Sequence, residues 1–218
     1  MEDKHYGPGR LVPAGAADGD PRPELFLVEG QSAGAAVARA RDARTQAVLP
    51  FQGKPLNPLR HSPERVLEHA AYRTVLSALR IEPGGRNNLE RCPYARVVLL
   101  FDPDADGVHA AALTLLFFAE FLPEFVEAGR LFEVRAPILT LWHERLTGPI
   151  DAVSRADLDR ILLSLREHGI SDPSRRTYRG LASMDSDALW RACLDPSSRI
   201  ERRLSLSDSR TVRDRLNP

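Results

Sequence analysis

Val97-Val98-Leu99-Leu100-Phe101-Asp102-Pro103-Asp104-Ala105-Asp106-Gly107 is the stretch that decides the fold class. Five apolar residues, branched or aromatic, predict a strand buried on both faces, and three carboxylates at alternate positions follow before a glycine opens the next element. In an open parallel sheet ligands bind at the carboxyl ends of the strands, so these acids fall where chemistry is expected. An extended backbone through Asp102, Asp104 and Asp106 would turn all three to one side. Unpaired carboxylates this close raise one another's pKa, and a hard divalent cation with oxygen ligands removes the conflict. The plain alternative is a solvated acidic turn, since Asp, Pro and Gly are ordinary turn residues. A calcium loop of the EF-hand kind fits the opening Asp102, Asp104, Asp106 and Gly107. It fails at its twelfth position, which is Leu113, and it requires a helix in front where this chain has a strand.

A chain of 218 residues is long enough for one domain with a sizeable core and an appended subdomain. The formal net charge is zero, so contact with nucleic acid must come from a local basic patch and not from the field of the whole molecule. Lys4 and Lys54 are the only lysines; the remaining positive charge is arginine, the side chain suited to bidentate phosphate contacts. Cys92 and Cys193 lie far apart and show no metal-ligand spacing, which suits a reducing compartment and provides no disulfide framework. The N-terminus lacks an apolar signal core, and the most apolar run, Ala110 to Phe118, is too short to span a bilayer. These features predict a cytoplasmic protein with no membrane association.

Working outward, residues 1–22 are rich in Gly, Pro, Ala and Asp without apolar periodicity and predict a flexible tail. Glu24 to Val28 predicts a buried strand, and Glu29-Gly30-Gln31-Ser32-Ala33-Gly34 turns it into a helix whose small residues permit close packing on a sheet. Ala47 to Leu49 is a further short strand, followed by a proline-rich loop from Pro50 to Pro58. Ser62-Pro63 opens a helix that Pro83-Gly84-Gly85 ends, Val108 to Leu122 is a strongly apolar helix, and Leu131 to Leu141 reads as one strand. The alternation of strands and helices implies an α/β fold with a largely parallel central sheet over residues 23–145. Residues 146–218 predict a small helical C-terminal extension, with a helix from Ser154 to His168, an Arg-bearing loop from Arg175 to Gly180 and a helix near Asp187 to Cys193.

Glu29 ends the first strand as Asp102 ends the later one, so if those strands are neighbours Glu29, Asp102, Asp104 and Asp106 share one sheet edge. Magnesium is held by a few carboxylates and keeps waters or phosphate oxygens as its remaining ligands, which makes a phosphodiester the natural substrate class. Gly30-Gln31-Ser32-Ala33-Gly34 also fits the G-x-S-x-G elbow of the α/β-hydrolases, with Ser32 as the nucleophile. That fold places several strands before the elbow, where here only the expected tail precedes it.

Several of these stretches together resemble, in order, the Toprim domain of the B-type component of DNA gyrase and topoisomerase IV. They are Glu29 to Gly34, Gln46-Ala47-Val48-Leu49-Pro50, Gly53-Lys54-Pro55-Leu56-Asn57 and Asp102 to His109. Further on, Leu122-Pro123-Glu124, Glu127-Ala128-Gly129, Tyr178-Arg179-Gly180-Leu181 with Met184, Leu189-Trp190, Asp195-Pro196 and Arg199 are similar to that component's C-terminal segment. The resemblance runs from about Glu24 to Arg203. It implies a Toprim, Rossmann-like fold in which Glu29, Asp102, Asp104 and Asp106 hold magnesium, with manganese as a substitute, beside a scissile DNA phosphate. In that family a tyrosine of a partner A-type subunit attacks the phosphate, the metal stabilises the leaving 3′ oxygen and the glutamate assists proton transfer. The resemblance thereby implies catalytic roles for Glu29, Asp102 and Lys54, and DNA contacts for Lys54, Arg176 and Arg179. Ser32 and His109 are further candidates at the same edge.

The chain departs from the family pattern at Gln31, at Gln52 and at Ala182-Ser183. The resemblance also implies a free-standing chain without the ATPase domain, active only with its partner, and it leaves self-association open. Three functions follow as expectations: the metal half of a cleavage and religation site, a non-catalytic regulator that binds the A-type subunit, or a stand-alone metal-dependent nuclease. The departures motivate the second.

Overall fold

The computed structural model describes residues 10–15, 21–51, 53–86 and 88–216. The chain begins with β1 (Glu24–Glu29), α1 (Gly30–Ala40) and β2 (Gln46–Phe51), followed by α2 (Pro63–Glu68), α3 (Ala70–Leu79) and the short α4 (Asn88–Arg91). It continues through β3 (Arg96–Leu100), α5 (Ala105–Phe121), α6 (Pro123–Glu127) and β4 (Leu131–Val134). Then come β5 (Leu139–Trp142), β6 (Ile150–Ala152), α7 (Arg155–Glu167) and β7 (Ser174–Thr177). A 3-10 turn at Leu181–Ser183, α8 (Ser186–Leu189) running into a π turn at Trp190–Leu194, β8 (Glu201–Arg203) and α9 (Leu206–Leu216) complete it.

The central sheet has the order β2-β1-β3-β4-β8. Its first four strands are parallel and β8 closes the edge antiparallel to β4. Alternate residues of its strands serve two cores, as period-two geometry requires. Leu25, Leu27, Leu49, Val97 and Leu99 pack with α3 and α5, whereas Phe26, Val28, Val48, Val98 and Leu100 face α1 together with Leu181, Leu189, Cys193 and Leu194. The C-terminal segment therefore covers one face of the sheet. β6, β5 and β7 form a separate antiparallel sheet whose core, Leu139, Leu141 and Ala152, is closed by Leu158 and Leu165 of α7.

The α/β architecture and the buried strands agree with the sequence pattern, and several boundaries differ. The strand expected over Leu131 to Leu141 is two strands in two sheets, divided around Pro137, which has no N–H for a ladder. The helix opened by Ser62, whose hydroxyl accepts from Arg65 N, breaks at His69, where the backbone is extended. α5 starts at Ala105 because Asp104 caps it. The stretch read as an Arg-bearing loop overlaps β7, and β6 and β8 add strands to the segment expected as helical. Within the expected tail, Val12 is buried and bridges Val48; residues 1–9 and 16–20 lie outside the described residues. Among the described residues no helix is long and apolar enough to cross a membrane.

Candidate functional site

β1 and β3 are neighbouring parallel strands with Val28 opposite Leu100, so Glu29 and the segment beginning at Phe101 leave the sheet side by side. Glu29 occupies the N-cap position of α1, yet its side chain makes no capping hydrogen bond and stays with the acidic edge. Gly30 takes φ +75°, a conformation that favours glycine, and this sharp bend is how the strand becomes a helix in one residue. The charges of Asp102, Asp104 and Asp106 all reach Glu29. Burial first, then those three charges, push its carboxyl above the usual range, with Lys54 pulling the other way.

The aspartates are not disposed along one side of an extended strand as expected, because β3 ends at Leu100 and the helix begins at Ala105. Asp102 is partly buried between the two, its Oδ1 accepting from Leu181 N–H at 2.8 Å. Burial raises its pKa, the Leu181 N–H opposes that, and Asp104 adds to the rise. Asp104 accepts from Gly107 N–H at 2.8 Å as the N-cap of α5. Asp106, in the first turn, pairs with Lys54 Nζ at 2.7 Å, both side chains largely exposed. That contact holds the Asp106 carboxyl below its usual range and raises Lys54.

The donor set is made of hard carboxylate oxygens whose mutual repulsion is felt at Glu29. Among the described residues no three His, Cys, Asp or Glu side chains converge as a preformed ligand cluster. An open arrangement of this kind fits magnesium, which takes one or two carboxylates and keeps waters or substrate phosphates in its other positions. Glu29 and Asp102, which leave neighbouring parallel strands, are residues that could hold such an ion.

The model of the Toprim domain matches residues 24–134. The chain belongs to the Toprim family. It is 32% identical over 203 residues to the DNA gyrase B protein of Haloferax volcanii, a match covering 93% of this chain and 31% of that protein. The DNA gyrase B protein of Mycobacterium leprae is 33% identical over 206 residues, covering 93% of this chain and 30% of the relative. The DNA topoisomerase 4 B protein of Streptococcus pneumoniae is 29% identical over 216 residues, 99% of this chain and 33% of the relative. The chain thus spans about a third of the length of the curated relatives it matches.

The remaining candidates lie on several elements. Ser32 is exposed in the first turn of α1, and His109 is half-buried in α5, near enough for its charge to act on Asp106. Arg179 is exposed and is the chain neighbour of Gly180, whose backbone lies against the Asp102 carboxylate. Arg176 sits on β7, stacked 5.8 Å from the Tyr178 ring and paired with Asp185. Gln52 lies outside the described residues. Sequence reasoning missed Gly180 and Leu181 as supports of Asp102, because the contact joins residues 79 apart in the chain. It also missed Arg155, which with Asp102, Gly107 and Val108 lines a cleft of about 310 Å³. Its only sequence signal is its place just after Ser154, the cap of α7.

Proposed function

We propose that this chain binds magnesium and DNA and supplies the metal half of a DNA cleavage and religation site, acting with a partner subunit that carries the nucleophilic tyrosine. The observation that carries this reading is the pairing of parallel β1 and β3, which leaves Glu29 and Asp102 at one edge under shared negative charge. The similarity to the gyrase and topoisomerase 4 B proteins supports DNA as the substrate of that edge. Glu29 and Asp102 hold the ion, and manganese can stand in for magnesium. When bound, the metal supplies Lewis acidity toward the phosphate and the leaving oxygen. Glu29, whose carboxyl is pushed above its usual range by burial and by the three aspartates, is the chain's own group for taking or giving a proton. Lys54 is exposed and flexible enough to exchange Asp106 for a DNA phosphate, and Arg179 adds a second cationic contact beside Asp102.

The test is plasmid cleavage and religation by this chain with an A-type subunit. Glu29→Gln together with Asp102→Asn is expected to lower cleavage by about a hundredfold or more, the scale of losing a key electrostatic contributor. Unchanged cleavage would defeat the reading. A non-catalytic regulator is the second reading, favoured by Ser183. Its hydroxyl donates to Gly180 O at 2.8 Å and accepts from Arg179 N–H at 2.9 Å, so it is spent within the turn. Binding to the A-type subunit that persists in EDTA, without any contribution to cleavage, would select that function.

A further inference from the structure

Asp102 is enclosed from two sides by glycines on different elements. A Cβ on Gly107, in the first turn of α5, would overlap the Asp102 backbone carbonyl. A Cβ on Gly180 would stand 2.7 Å from Asp102 Oδ2, 2.8 Å from Cγ and 2.8 Å from Oδ1, closer than real side-chain carbons approach. Beside Gly180, the Leu181 N–H donates to Oδ1 at 2.8 Å.

The turn that makes these contacts is itself held from behind. Leu181 is fully buried in the core shared with Phe26, Val28 and α1, and the Ser183 hydroxyl ties back to Gly180 O. On the other flank, the buried Tyr178 hydroxyl lies 3.1 Å from Thr140 Oγ1, which donates to Asp151 at 2.5 Å. Arg191, in the π turn, also binds Asp151. The small sheet and the π turn thus converge on the backbone that touches Asp102.

We infer that the Gly180–Leu181 turn is the positioning element for Asp102. It fixes the rotation of the carboxylate through one N–H and admits the group only because residue 180 has no side chain. The inference rests on the reading of Asp102 as a metal-holding residue, and it makes affinity at the acidic edge depend on a distant part of the chain. Gly180 acts through Asp102 and touches no reacting atom. An outer support of this kind is worth as much to a metal site as many of the ligands themselves.

Manganese binding to the full chain, followed by the electron paramagnetic resonance signal of free Mn²⁺, is the first readout. Thermal unfolding in EDTA is the second. Gly180→Ala is expected to weaken manganese binding by about tenfold to a hundredfold, and Asp102→Asn to weaken it at least as much. In EDTA, Gly180→Ala should lower the unfolding midpoint in both backgrounds, because φ +154° at residue 180 disfavours any side chain, and should lower it further in the wild-type background than in Asp102→Ala, where the overlapping carboxylate is gone. Wild-type affinity in Gly180→Ala, or an equal loss of midpoint in both backgrounds, would overturn the inference. Should Gly180→Ala not fold, Ser183→Ala loosens the turn without adding bulk; a weakened affinity supports the positioning role and an unchanged one overturns it. Binding that survives Asp102→Asn would instead defeat the metal reading, leaving the coupling of residues 180 and 102 in EDTA to decide the contact on its own.

Discussion

Glu24 and Glu29 stand at opposite ends of β1 and meet opposite electrostatics. Burial opposes the charge on Glu24, yet the hydrogen bonds and charge of Arg199, with Arg96 and Gln46, hold its carboxyl below the ordinary value of 4.5. At Glu29, burial and three aspartates push the carboxyl above that value. The sign of the consequence follows from linkage. A carboxyl whose folded pKa is raised keeps its proton longer in the native state, so stability is highest below the unfolded value and falls as pH rises through the folded one. Glu29→Gln removes that loss. In EDTA the variant should therefore melt higher than wild type at about pH 7, with the advantage shrinking as pH drops toward 4.5. On the proposed metal-holding role of Glu29, adding magnesium should reverse the order, because the ion would bind more tightly to the chain that retains this carboxylate. Thermal scans at the two pH values with and without the ion measure both effects. A variant no more stable than wild type in EDTA at neutral pH would mean that the crowding of charge at Glu29 is relieved some other way.

At the scale of the element, Asp104 has two jobs that substitution separates. Its carboxylate caps α5 through Gly107 N–H, and it contributes charge to the acidic edge. Asp104→Ala should cost about 1 kcal/mol through loss of the cap, whereas Asp104→Asn keeps a good cap and removes the charge. Urea unfolding is expected to separate the two variants, while magnesium affinity should fall in both. Equal unfolding midpoints would deny the cap any role in stability. The same helix shows what was legible in the sequence. α5 and the strands β1, β2 and β3 announce themselves because a strand buried on both faces, or a helix buried nearly all round, is a continuous apolar run. β7 and β8 had no such signal: Ser174 to Thr177 is exposed throughout and Glu201 to Arg203 is charged. They are strands because β5 and β4 offered them an open edge, and in β8 because Arg202 meets Glu133 across the pair at 3.1 Å. The positions of the four acids at the end of the sheet were legible from spacing. The turn of the backbone that makes Asp104 a cap and hands Asp102 to Leu181 was not, because it depends on a segment that reaches the site only through tertiary packing.

Across the whole molecule, the segment that supports the acidic edge is anchored at the far end of the same strand. The Arg199 side chain is 0% exposed and binds Glu24 Oε1 at 2.5 Å, Glu201 Oε2 at 2.7 Å and Leu194 O at 3.0 Å. Its guanidinium lies 5.4 Å from the Phe26 ring, so it also packs on the sheet. Arg96 holds the same two glutamates, at 2.6 Å each. This cluster ties the end of the π turn and the start of β8 to the N-terminal end of β1, while Leu181 touches Asp102 at the other end of the sheet. Arg199→Met keeps the bulk and removes the charge. With Arg96 still present on one oxygen, the loss should be about 3 kcal/mol, at the low end for breaking a buried pair from one side. Glu24→Gln combined with Arg199→Met should recover much of it, since no carboxylate is then left buried without its partner. The single variant should also flatten the acid limb of stability. Wild-type Glu24 contributes stability above 4.5 that is lost as pH falls through its depressed folded value, and without Arg199 most of that contribution is absent at every pH. Urea unfolding across the acid range measures both effects, and hydrogen exchange at the Leu181 amide reports whether loosening the anchor reaches the site. Faster exchange at Leu181 would show that the C-terminal segment moves as one body between its two ends. Exchange unchanged despite the lost stability would confine the clamp to the N-terminal end of β1 and leave the small sheet as the support of the Asp102 turn.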